Sequence, residues 1–177
     1  MLITKTLKFV IQAIDAVSER TGRLVAYLCI PTIVVIMVEV AGRYFFRSPF
    51  LWSHEMTAFM VGILYTLGGA YVLKLDEHVS VDLIYNLLGR RGKAVMEVFS
   101  SIVFFVYMIP LSWYGLNYAF RSISILQRSG STWNPPVYHL KAVLVFGILL
   151  VLLAGVSRFV KVLHSVITGR NELWTLD

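Results

Sequence analysis

Glu39 and Arg43 are four residues apart, so on a helix they share one face and can pair. Both stand near the end of a long apolar stretch, where ionisable side chains are functional candidates by default. Glu55 follows after a short break, about two turns into the next apolar stretch and at a similar depth. A Glu39–Arg43–Glu55 cluster is therefore expected. It could relay a proton or another ion, tie two helices together, or bond a partner. An arginine one turn away favours the charged carboxylate, which suits a structural ion pair better than a proton carrier.

The four histidines invite a different chemistry. Haem held within a helical membrane protein needs axial ligands on facing helices. His54 and His139 fall near one predicted face, and His78 and His164 near the other, outside the uncharged cores. That placement argues against a haem site. His78 and Asp82 are four apart on a polar face, a spacing that makes a local hydrogen bond more readily than a catalytic dyad. The single cysteine, Cys29, lies in an apolar block and excludes an internal disulfide and any Cys-based metal or redox motif. There is no Ser/His/Asp set, phosphate-binding glycine loop or zinc spacing. No catalytic residue, cofactor or metal is expected.

The elements that must position these residues are membrane helices. Hydrophobic residues make up 58% of the 177 and charged residues 15%, against about 45–50% and about 25% in soluble domains. The apolar residues come in blocks separated by Lys and Arg. The fold class expected is an all-α integral membrane protein, one membrane domain over 1–177, with four transmembrane helices plus amphipathic interfacial helices.

Residues 2–19 read as a surface helix, with Ile3, Leu7, Val10, Ile11, Ile14 and Val17 on one side and Lys5, Lys8, Gln12, Asp15 and Glu19 on the other. The first span is expected at 24–46, bent at Pro31. Ser48 and Pro49 resemble a helix cap and first residue, so the second span is placed at 49–73. Ala58, Gly62, Thr66 and Ala70 form a small-residue face that lets another helix approach closely, and Gly68-Gly69 reads as packing. A second surface helix is expected at 78–90, closed by Arg90, Arg91 and Lys93. The third span is placed at 95–120, and the fourth at 137–160 after a polar loop with Gly130 and Pro135-Pro136.

The net charge of +6 does not point to nucleic acid, because the basic residues flank the apolar blocks. They do orient the chain. Lys5, Lys8, Arg20, Arg23, Lys74, Arg90, Arg91, Lys93, Arg158, Lys161 and Arg170 fall on one side, eleven in all; Arg43, Arg47, Arg121, Arg128 and Lys141 fall on the other, five in all. The positive-inside rule then puts both termini in the cytoplasm and the two short loops outside.

Two stretches carry a family resemblance. Glu39-Val-Ala-Gly-Arg43-Tyr-Phe-Phe-Arg-Ser-Pro49-Phe-Leu-Trp52-Ser-His-Glu55 fits the pattern E-x3-R-Y-x-F-x2-P-x2-W-x2-E. His78-Val-Ser-Val-Asp82 follows the Gly-Gly-Ala of span two. Together they resemble the small, DctQ-like membrane subunit of the tripartite ATP-independent periplasmic (TRAP) transporters. His54 departs from the pattern, standing where many members have an acidic residue.

The resemblance implies a non-catalytic scaffold in the membrane lipids of a bacterial inner membrane. Its partners would be a large TRAP membrane subunit, which carries the substrate and sodium sites, and a periplasmic substrate-binding protein that delivers an organic acid of the dicarboxylate or sialic acid class. Glu39, Arg43, Trp52, Glu55, His78 and Asp82 would then be structural and partner-interface residues. Two other readings stay open on the residues alone: a self-sufficient small proton-coupled exporter using Glu39, and a haem or quinone membrane anchor.

Overall fold

A computed structural model of the chain describes residues 2–48, 50–74 and 90–168. It contains five helices in that range: α1 (Leu2–Ala26), α2 (Cys29–Phe45), α3 (Ser53–Lys74), α4 (Arg90–Ser124) and α5 (Tyr138–Thr168). Four stretches are long and apolar enough to cross a membrane: Phe9–Phe45, Ser53–Leu73, Met96–Ser124 and Tyr138–Lys161. The chain is an all-α membrane-spanning protein, as the composition requires.

The first of these stretches is one helix broken in two. Pro31 has no N–H to give the carbonyl of Tyr27, one turn back, so the backbone opens there. Leu28 N–H bonds the Val25 carbonyl at 2.8 Å instead, and the Thr32 hydroxyl donates to the Leu28 carbonyl at 2.6 Å. The bend expected at Pro31 is thus a break at Tyr27–Leu28, with Pro31 inside the first turn of α2, where its missing donor costs nothing.

The separate surface helix expected over 2–19 does not stop at 19; α1 runs unbroken to Ala26. The reason is a continuous stripe that the apolar pattern alone conceals. Ile11, Ser18, Gly22 and Val25 are buried, at spacings of seven, four and three. Gly22 allows the close approach: a Cβ there would lie 2.6 Å from Tyr71 Cγ on α3. Phe9, Val10 and Val17 face away from the protein. Asp15, assigned by sequence to the solvent side, turns inward to α5. Its Oδ2 accepts from Lys161 Nζ at 2.7 Å and its Oδ1 from the Ser157 hydroxyl at 3.1 Å.

The main core lies where α1, α3 and α5 meet: Val25, Leu67, Ala70, Leu73, Leu150 and Ala154, with Phe104 of α4 packed against it. The small-residue face of α3 is used here, and by this chain's own α5. Thr66 fills the notch at Gly147, where a Cβ would sit 2.8 Å from the Thr66 Cγ2, and Gly62 faces Leu144. Ala58 is exposed, and Gly68 has open space rather than a neighbour. On the far side of α5, Phe104, Phe105 and Phe159 stack edge to face at centroid distances of 5.4 and 5.7 Å. The helices form an open layer, with α2 packed on α3 at one side and α4 on α5 at the other.

Two boundaries differ from the sequence reading. Arg90, expected to close the surface helix 78–90, opens α4, and the expected span 95–120 lies inside α4. His78, Asp82 and the rest of that surface helix up to residue 89 lie outside the described residues. The second span starts later than expected, at Ser53.

Candidate functional site

The residues singled out by type and spacing meet in the turn between α2 and α3. α2 ends when Arg47 takes a left-handed conformation (φ 51°) and the Ser48 N–H returns to the Gly42 carbonyl at 3.4 Å. α3 begins at Ser53, four residues later than the Ser48-Pro49 pair suggested. Residues 51–52 form a turn instead, and Ser53 is the first residue of the helix: its N–H bonds the Phe50 carbonyl at 3.3 Å.

Glu39 organises this turn. Its Oε1 accepts from the Arg43 guanidinium at 2.9 Å, one helical turn on. Its Oε2 accepts from the Phe50 N–H at 3.1 Å and from the Ser53 hydroxyl at 2.5 Å. The Ser53 hydroxyl also lies 2.8 Å from the Phe50 carbonyl, a competing acceptor for its one proton. Three donors thus converge on one carboxylate, an arrangement suited to an ionised acid, which only accepts. One of them is a backbone N–H that the turn would otherwise leave unpaired.

The expected partnership of Glu39 and Arg43 is present; the expected third member is not. Glu55 does not join the cluster. Its Oε2 is buried with no hydrogen-bond partner among the described residues, and Ser53 occupies the position at Glu39 that Glu55 was expected to share. The reason is the direction in which α3 presents its first residues. With residue 53 at the helix start, Ser53 faces α2, and Glu55, two residues on, points about 200° around the helix from it. Ser53, Phe50 and Gly42 were not singled out by sequence. A Cβ on Gly42 would lie 2.5 Å from the Phe50 ring, so Gly42 is the seat on which Phe50 packs. A glycine immediately before Arg43 is a weak signal, and a lone serine between Trp52 and His54 is no stronger.

Trp52 packs against Phe50 at a centroid distance of 6.0 Å and stays partly exposed; its carbonyl accepts the Met56 N–H. Arg43 is 65% exposed. Together with Ile36, Val40, Tyr44, His54 and Thr57 it lines an open groove between α2 and α3. His54 lies at the start of α3 and His139 at the start of α5, where it stacks on Tyr138 at 3.9 Å. Among the described residues, no group of three or more His, Cys, Asp or Glu side chains could hold a metal.

This turn falls inside a recognised region. Residues 32–165 match the family described as tripartite ATP-independent periplasmic transporters, DctQ component. The chain is 24% identical over 82 residues to the sialic acid TRAP transporter permease protein SiaT of Haemophilus influenzae (strain 86-028NP), a match covering 46% of this chain and 13% of that protein. It is 26% identical over 105 residues to the C4-dicarboxylate TRAP transporter small permease protein DctQ of Vibrio cholerae, covering 58% of this chain and 44% of that one. The matched regions span under half the length of either relative. A helical chain with four membrane spans and a Glu39-centred turn, matched over most of its length, belongs to the DctQ family of small TRAP transporter permease components.

Proposed function

We propose that this chain is a non-catalytic scaffold: it binds the large transport subunit of a TRAP transporter and helps dock the periplasmic binding protein for sodium-coupled uptake of an organic acid. The observation that carries the scaffold reading is the use made of Glu39. Both its oxygens are engaged by this chain's own donors to close the α2–α3 turn. A coupling carboxylate must instead release those contacts in each cycle.

The open layer supports the same reading. In the four apolar windows only 11%, 17%, 11% and 33% of the residues are buried within the chain. α2 presents Ile33 and Met37, and α4 presents Val106 and Tyr107, to whatever surrounds them. Such faces offer broad packing area to a second membrane protein. Arg43, Trp52 and Glu55 at the turn, and His78 and Asp82 of the second motif, are the residues we assign to structure and to that interface. The Lys and Arg bias places both termini in the cytoplasm of a bacterial cell and this turn on the periplasmic side. The names of the relatives, for sialic acid and for C4-dicarboxylates, support a carboxylate-bearing organic acid as the proposed cargo.

Co-purification tests the reading. The tagged chain, expressed with its neighbouring genes and extracted in mild detergent, should bring down a much larger, very hydrophobic partner in fixed ratio. A stable dimer of the chain alone, with transport abolished by Glu39→Gln at normal expression, would instead establish a self-sufficient exporter.

A further inference from the structure

The loop between α4 and α5 is a built object, unlike a simple connection. The Val137 N–H bonds the Gln127 carbonyl and the Ser129 N–H bonds the Pro135 carbonyl, each at 3.0 Å, so the two ends of the loop pair through a bridge between Arg128 and Pro136. Its tip is tied by the Gly130 N–H to Asn134 Oδ1 at 3.1 Å and by the Asn134 N–H to the Ser131 hydroxyl at 3.0 Å. Its base is tied to α5 by Lys141, which donates to Gln127 Oε1 at 2.6 Å and sits 3.9 Å from the centre of the Tyr118 ring. Leu126 (φ 47°) and Asn134 (φ 51°) are both left-handed, a conformation that disfavours a branched side chain such as Leu.

This fixed frame displays a particular chemistry. Trp133 is 41% and Leu126 63% exposed. Arg121 and Arg128 are exposed as well, with Arg128 steadied at 3.3 Å from the Asn134 carbonyl. No Asp or Glu occurs between Glu97, at the opposite end of α4, and Glu172, so no carboxylate of this loop or of the helix ends that adjoin it offsets these cations. Tryptophan and arginine on a rigid support are the residues that anchor protein interfaces, and a preordered loop loses less entropy on binding. Lipid headgroups have no fixed shape for such a frame to match.

We propose that this α4–α5 loop is a preformed docking surface for an acidic patch on a soluble protein, with Trp133 as the apolar anchor and Arg128 as the charge that orients it. The assignment of that partner to the periplasmic binding protein rests on the scaffold reading above. Salt should weaken the contact, since exposed charge pairs are screened.

The test uses the whole membrane complex in nanodiscs of zwitterionic lipid, with the binding protein encoded beside this chain as the probe and its dissociation constant as the readout. Arg128→Glu and Trp133→Ala should each weaken binding by about tenfold or more, and Arg20→Glu, on α1, should leave it unchanged. Wild-type binding should fall steeply with ionic strength. If wild type binds and both loop variants bind as well as it does, the loop proposal is overturned and the docking reading survives. If wild type does not bind at all, the docking reading fails first. Binding that appears only when anionic lipid is added would reassign the loop to the membrane surface. Should a variant fail to assemble with the large subunit, salt-independent binding of the wild type would by itself overturn the proposal.

Discussion

Replacing Gly22 by alanine should separate α1 from α3. The added Cβ would meet the Cβ and Cγ of Tyr71, with the Cγ at 2.6 Å. Carbon atoms pack at about 3.5–4.0 Å, so the helices must part by about 1 Å. Tyr71 cannot escape by rotating, because its Cβ is fixed by the α3 backbone. Overpacking of this kind costs about 1–3 kcal/mol, and the helical gain of Gly→Ala returns about 0.5–1 kcal/mol. The net expectation is a loss of about 1–2 kcal/mol.

Gly68→Ala is the matched control. It lies in α3 with nothing within 4 Å of the added carbon, so only the gain remains. The gain is common to both, so the two variants should differ by the overpacking cost, about 1–3 kcal/mol, or roughly 2–12 °C in melting temperature for a chain of this size. Heating the detergent-solubilised variants and measuring the monodisperse fraction reads this directly. A Gly22→Ala protein that melts at or above wild type, or a Gly68→Ala protein that falls as far, would refute the placement of α1 against Tyr71.

Three further outcomes follow from the same geometry. Glu39→Gln should lower the melting temperature and the yield of complex, whereas Glu55→Gln should leave stability unchanged or raise it, because a buried carboxylate oxygen without a donor is a liability; equal losses at both positions would count against the Glu39-centred turn. Asp15→Asn and Lys161→Met should each cost about 1–3 kcal/mol, between the exposed and buried limits for ion pairs, since both side chains are only about one-fifth exposed. A double-mutant cycle on that pair should show coupling, and strict additivity would show that α1 does not rest on α5 there. Arg47→Gly should raise stability by about 1 kcal/mol, because a left-handed residue is costly for any side chain with a Cβ; a lower melting temperature would mean that the guanidinium is needed.

Most of the fold was legible because membrane spans are written in long apolar runs, and four were found by that signal. The ends were not. Nothing in the composition of residues 2–26 shows that Ser18 and Gly22 continue the stripe of Ile11, since neither is apolar, and a helix that seemed to end at 19 runs on to Ala26. Asp15 was assigned to water because it is charged; its partners, Ser157 and Lys161, are 142 and 146 residues away. The pairing of Glu39 with Arg43 was readable because both lie on one helix. Its extension to Glu55 failed because Ser53 is the residue of α3 that faces Glu39, and Glu55 points about 200° around the helix from it.

That failure changes what the motif means. A charged cluster of Glu39, Arg43 and Glu55 would place two acids about one arginine, a balance that proton transfer could tip. The observed cluster has one acid and three donors. Its Arg43 is mostly exposed, while its Ser53 is 1% exposed, so the firm part of the contact is the serine and the backbone, and the arginine is free to serve a second surface. Read this way, Glu39 and Ser53 fix how the chain turns, and Gly42 and Phe50 seal the turn. Arg43 and Trp52, which are held by it but left partly uncovered, are the two motif residues a partner can reach. Arg43→Lys separates the two roles: a lysine four residues from Glu39 can keep the ion pair, so melting should be near wild type, while a partner that uses the planar guanidinium fork should be lost from the complex. Retention of the complex with Arg43→Lys and its loss with Ser53→Ala would confine the motif to shaping the turn.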